Sequence, residues 1–388
     1  MLRMTLLAGV ALALAGCSTI SNTIDTLNPF SKSAPKVKPA ELPNFKPSAE
    51  MARLWQANVG TAGEYVFSPA VVGDSVYAAA REGVLARFDA GGRQVWRINA
   101  GQVLSGGVGA NEKFVVVGTP KGEVLAFRAE DGRAAWQARA SSEILAAPAV
   151  QGDLVVVRSG DARIYGFDAA DGKRRWVYQR TTPALALRSN VGIALTDKAI
   201  YAGFPGGKLV AVARNNGAAL WESAVALPRG TTELERIADV ASDPVVAGSM
   251  VCAVAYQGRV ACFDADNGRQ LWTRDVSSVV GLDIGPRGVY VTDEKSAVQA
   301  FDRSSGASLW KQDKLFMRGV TRPLVLGSRL AIADFQGQVH VLADEDGSFV
   351  ARHATDGSAI IAVPRRLAAE GSLVVQTKSG AVHALVAK

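Results

Sequence analysis

The chain has 388 residues, of which 48% are hydrophobic, 20% charged and 7% aromatic, a composition that excludes disordered and collagen-like classes. Three histidines and three cysteines are too few for large metal clusters, and the formal charge of +7 is spread without a long basic run. Nucleic acid is therefore not an expected partner; the charge suits solvation or an acidic protein surface.

The first element is a targeting segment. Residues 1–17 read MLRMTLLAGVALALAGC, with Arg3 ahead of an apolar stretch from Met4 to Leu14 and small residues after it. That is the layout of a secretory signal, too short to span a bilayer. Leu14-Ala15-Gly16-Cys17 resembles the lipobox of bacterial lipoproteins, which implies cleavage after residue 16 and a lipidated Cys17, anchored stably once it carries more than one acyl chain. By the same resemblance, Ser18 in place of an inner-membrane-retaining Asp implies the outer membrane, periplasmic face. Residues 17–50 hold Pro29, Pro35, Pro39, Pro43 and Pro47 with Lys32, Lys36, Lys38 and Lys46, and no apolar period. This composition predicts a semi-extended tether.

From residue 51 onward the sequence repeats at about 40 residues, the range of propeller blades. Trp55, Trp96, Trp136, Trp176, Trp221, Trp272 and Trp310 lie 41, 40, 40, 45, 51 and 38 residues apart. Most close a shared phrase, as in Phe88-Asp89-Ala90-Gly91-Gly92 before Trp96 or Phe263-Asp264-Ala265-Asp266-Asn267-Gly268 before Trp272. Asp bonds its own turn backbone and Gly allows positive φ, so each phrase is a tight turn between two strands. Each copy carries four short strand patterns rich in Val, Ala and Leu, and Pro69, Pro148, Pro244, Pro323 and Pro364 stand at the start of the first of them. Blade starts fall near 68, 106, 147, 190, 243, 280, 322 and 361. The eighth copy stops after three strands, and Arg53–Val59 carries the missing fourth-strand pattern with its Trp. The expected fold is all-β: one eight-bladed propeller over 51–388, its last blade closed by the N-terminal strand.

Spacing exceeds the repeat at two places, Thr181–Gly192 and Leu227–Ser242. Strand direction alternates within a blade, so links between blades and turns between second and third strands share one face. Both insertions should therefore sit side by side on that face. The first displays Leu185, Leu187 and Arg188, an apolar-plus-Arg combination suited to an interface; read without further context, the leucines equally fit the start of a buried strand. The second, Glu233–Asp243, reads as a helical turn or two bearing charges, or as a solvated loop. Cys252 and Cys262 fall almost symmetrically about the turn at Gln257-Gly258. They form either a cross-strand disulfide or two buried thiols, because a register slip of one residue would turn them to opposite faces.

The Asp-x-x-Gly-x-x-x-Trp phrases resemble those of pyrroloquinoline-quinone-type propellers. A lipoprotein with eight such blades resembles the outer membrane protein assembly factor BamB family. That resemblance implies a non-enzymatic scaffold of the β-barrel assembly machinery, partnered by a periplasmic domain of BamA, other assembly-complex lipoproteins and nascent outer-membrane proteins. It also assigns partner contact to Leu185, Leu187 and Arg188, which match the family's Leu-x-Leu-Arg motif, and to Asp239; Ala241 stands where the family has a second Asp.

Two other readings use the same scaffold. A quinone-dependent dehydrogenase would resemble it in its blades, but no adjacent cysteines occur and every Trp belongs to a blade position. A stand-alone periplasmic ligand-binding propeller is the other. No catalytic or metal-binding constellation is expected: His340, His353 and His383 lack metal-ligand spacing, and no Gly-x-Ser-x-Gly elbow occurs. No cofactor is implied.

Overall fold

The computed structural model describes residues 37–388. Expectations for residues 1–16 and for Cys17 lie outside the described residues. Ala40–Lys388 forms one compact unit, and it is a ring of eight four-stranded antiparallel blades with no helix among the described residues. Blade 1 comprises Ala70–Val72, Ser75–Ala79, Val84–Phe88 and Gln94–Asn99. Later blades repeat this order from first strands at Gly106, Ala149, Ile193, Val245, Gly281, Leu324 and Arg365. Second and third strands are buried on both sides, whereas fourth strands alternate between an exposed face and a packed one. Blade 2 gains a fifth strand, Val66–Phe67, which runs parallel to Gly106-Gly107.

The eighth blade is built from both chain ends. Met51–Asn58 pairs antiparallel with Ala381–Ala387, from Met51 opposite Ala387 to Asn58 opposite Ala381. Gln376 carries the closure into blade 1 by donating its side-chain N–H to the Ala79 carbonyl at 2.8 Å.

The tryptophan period has a direct physical cause. All seven indole N–H groups donate to a backbone carbonyl in the next blade's turn between third and fourth strands, from Trp55 to Ala90 at 3.0 Å through to Trp310 to Asp344 at 2.9 Å. Each ring also covers that turn's glycine. At Gly268, where φ is +72°, an added Cβ would lie 2.6 Å from the Trp221 ring, so neither the conformation nor the space admits a side chain. The eighth boundary, between blades 7 and 8, has Ala351 at the Trp position. There the third and fourth strands belong to opposite ends of the chain, and no turn exists for an indole to cap.

That boundary is sealed by the residues preceding the closing strand. Ser48 donates its N–H to the Val350 carbonyl at 3.0 Å, and Ala40 donates to Phe316 at 2.9 Å. Arg318 and Arg352 donate to the carbonyls of Ala40 and Pro43 at 3.0 and 2.9 Å, and Phe45 stacks on Phe349. The semi-extended tether expected over 17–50 is thus shortened at its end: Ala40–Glu50 is a strap laid on blade 7. Its prolines leave carbonyls free to accept from arginines, which supplies order without a strand period.

Cys252 stands directly opposite Cys262 across the second and third strands of blade 5. The two are joined as a disulfide, buried against blade 6.

Candidate docking face

The two insertions lie on the face that carries the links between blades, and one side chain joins them. Asp239, in the second insertion, accepts the N–H of Leu187 in the first at 2.7 Å. Its other oxygen accepts the N–H of Gly206, in the turn between second and third strands of blade 4, at 3.0 Å. Its own carbonyl accepts from Tyr256, in the matching turn of blade 5, at 2.8 Å. Asp239 therefore pins both loops to two blades at once.

The side chains above this clamp project outward. Leu185 is 41% exposed, Leu187 is half-buried and Arg188 is exposed, reaching Glu143 of the preceding link at 3.6 Å. The Ser142 hydroxyl, and after it backbone bonding and Arg188, holds the Glu143 carboxyl below its ordinary value against an opposing effect of burial. Beneath the loop lies a cavity of about 220 Å³ bounded by Leu187, Arg188, Arg158 and Asp239. Arg158 is nearly buried and donates to the Gly203 carbonyl; burial brings its guanidinium down to about 10, opposed by Asp243 and Asp239.

Asp239 is only 3% exposed, and Ala241 is equally buried. The carboxylate is not presented to solvent, because both oxygens accept backbone N–H groups. A partner meets Asp239 through the loop it holds.

Of the helical turn or two, or solvated loop, expected in the second insertion, the structure shows a single turn, closed by the Arg236 N–H on the Thr232 carbonyl at 3.2 Å. Thr232 and Glu235 form a reciprocal cap: Glu235 accepts from the N–H groups of Thr231 and Thr232 at 2.7 and 3.1 Å, and its own N–H donates to the Thr232 hydroxyl at 3.2 Å. The Thr232 N–H, first among these bonds, holds the Glu235 carboxyl below its ordinary value. The turn lifts Leu234 to 68% exposure, and Leu227 beside it is 58% exposed. Sequence reasoning missed these two leucines; the Thr-x-x-Glu spacing was the available sign that this stretch is ordered. Each insertion thus exposes apolar side chains with exposed arginines near them in the chain: Leu185 with Arg188 in the first, Leu227 and Leu234 with Arg229 and Arg236 in the second.

Among the described residues no group of three or more His, Cys, Asp or Glu side chains is placed to hold a metal. His340 is wholly buried in a structural network: Asp334 takes Arg318 at 2.7 Å and the His340 Nε2 at 3.3 Å, and Arg352 donates to His340 Nδ1 at 3.1 Å. His383 is buried within blade 8, and His353 faces the Met51 carbonyl at 3.3 Å.

The ring and its repeats define a propeller of the pyrroloquinoline-quinone repeat class. A family model described as outer membrane protein assembly factor BamB matches residues 81–312 and 294–388. A protein of that name in Bordetella pertussis is 42% identical over 373 residues, covering 96% of this chain and 93% of its own. One in Pseudomonas aeruginosa is 42% identical over 358 residues, covering 91% of each. The crystal structure of BamB from Moraxella catarrhalis matches with a TM-score of 0.80 at 28% identity, over 87% of this chain and 100% of that one. The chain belongs to the outer membrane protein assembly factor BamB family. A quinohemoprotein alcohol dehydrogenase from Comamonas testosteroni, 13% identical with a TM-score of 0.69 over 87% of this chain and 76% of its own, shares the fold alone.

Proposed function

We propose that this chain is a non-enzymatic scaffold of the outer-membrane assembly machinery, and that its paired insertions bind a periplasmic domain of BamA. Its relatives are named as assembly factors, and the enzymes with the same fold are distant. The observation that carries the docking surface is the Asp239 clamp, which ties together two loops that each expose leucine and arginine. Leu185, Leu187 and Arg188 are the contact residues in this reading, and Asp239 is a positioning residue. Nascent outer-membrane proteins and other assembly lipoproteins are further partners. Cys17 is the lipid anchor, residues 1–16 are the signal, and the part of the tether before Ala40 reaches the periplasmic face of the outer membrane.

Replacing Leu185, Leu187 and Arg188 together by Ala should leave the melting transition in place and abolish co-purification with BamA; undiminished recovery would refute the docking surface. The anchor has a separate readout, since Cys17→Ser should move the chain from the membrane to the soluble fraction.

A further inference from the structure

On the ring axis, where the links enter the first strands, lies a cavity of about 280 Å³. Val191, Ile193, Val279 and Val280 give it apolar walls, and Ser242, Asp243, Arg322 and Arg365 its polar groups. Two of these polar groups have an atom without a hydrogen-bond partner among the described residues. Ser242 is 5% exposed and its hydroxyl has no hydrogen-bond partner among the described residues. Nε of Arg322 also lacks one, although that side chain is only 13% exposed.

The charged groups are likewise only partly paired. Asp243 lies 3.9 Å from the Arg322 guanidinium and accepts the Gly192 N–H at 2.6 Å. Arg365 is half-buried and forms no ion pair among the described residues. Its other acidic neighbour, Asp283, already accepts from Val325 at 2.8 Å and Ile284 at 3.0 Å. Burial, reinforced by the like charge of Arg322, lowers the Arg365 guanidinium against the pull of Asp243 and Asp283. Arg322 Nε and the Ser242 hydroxyl thus remain donors without acceptors among the described residues, and buried donors without acceptors are unfavourable.

We propose that the axial cavity binds a carboxylate, held by Arg365 with Arg322 Nε and the Ser242 hydroxyl as further donors. A carboxylate brings one negative charge beside Asp243 and Asp283 and a phosphate dianion brings two, so these acidic neighbours oppose the carboxylate less. The apolar walls suit an organic group behind the carboxylate. A small organic acid and the terminal carboxylate of a peptide present the same chemistry. The cavity takes Val191 and Ser242 from the ends of the two insertions but none of Leu185, Leu187, Arg188 or Asp239, so its failure would leave the docking reading untouched.

Calorimetric titration of the folded chain is the test, with butyrate, trialanine and inorganic phosphate as probes and butyramide and trialanine amide as uncharged controls. Saturable binding of butyrate or trialanine at roughly millimolar concentration, absent for the amides, is expected. Binding of trialanine, with or without butyrate, would name a peptide terminus as the source, and binding of butyrate alone a small acid. Arg365→Gln should weaken binding about tenfold or more with an unchanged melting temperature, because Arg365 forms no ion pair among the described residues. Binding of phosphate in preference to carboxylate, equal binding of the amides, undiminished affinity in Arg365→Gln, or no binding at all would overturn the assignment.

Discussion

Asp239 shows how a residue can govern a surface without belonging to it. Its carboxylate holds the Leu187 and Gly206 N–H groups of two different segments. Removal leaves both donors stranded at a buried position, a cost of about 1–3 kcal/mol. Asp239→Ala should therefore speed hydrogen exchange at the Leu187 amide and weaken BamA binding while the blades stay protected; an unchanged Leu187 exchange rate would show that the loop is held by something else. Sequence spacing located the insertions and the motif Leu185, Leu187, Arg188 by position, but not the burial of Asp239. Its partners are backbone groups 52 and 33 residues away, which no side-chain pattern encodes. The two cysteines were readable for the same reason that Asp239 was not: their symmetry about one turn is local, and only the register remained open.

At the scale of a single element, the strap Ala40–Glu50 depends on a buried network in blade 7. His340 is pushed below its ordinary value chiefly by burial, with Asp334 opposing. Burial pushes the Asp334 carboxyl up, but its bonds to His340, the Gln338 N–H and Arg318 outweigh this and hold it below its ordinary value. In both cases the unfolded chain binds the proton more readily than the folded one. The contribution of His340 is complete above its unfolded value of 6.5 and is lost as pH falls through that value toward the lower folded one; Asp334 adds a second loss below 3.8. The denaturant midpoint should accordingly fall between about pH 7.5 and 5; His383, also held low by burial, contributes in the same window, so His340→Gln should reduce that step and His340→Gln with His383→Gln should flatten it. A wild-type midpoint that is constant over this range would contradict the assignment of a neutral buried imidazole. The strap itself was not legible, because proline-rich sequence with no apolar period gives no hint that arginines of a distant blade will donate to its carbonyls.

For the whole ring, repeat arithmetic was enough to count eight blades and to assign the closing strand, since Trp, Gly and Asp recur for reasons of packing and turn geometry that act identically in each copy. The absent eighth Trp follows from the same rule, as the one boundary without a turn to cap. Closure is also where cooperativity should be concentrated. Deleting residues 37–58 would uncover the edge of Ala381–Ala387 and the flank of blade 7, so the truncated chain should aggregate or lose its single melting transition. A synthetic peptide of residues 40–60 added during refolding should restore it; a sharp, unshifted transition in the truncated chain, which also lacks Trp55, would argue that the six remaining indole bridges suffice.

The missing indole also decides how the ring would respond to load. A pull on the N-terminal side of Ala40 acts first on the strap, whose few hydrogen bonds can peel away one after another while every Trp bridge stays shut. The boundary between blades 7 and 8 would thus behave as a mechanical fuse, yielding by a short length of chain before strain reaches the paired loops on the opposite arc.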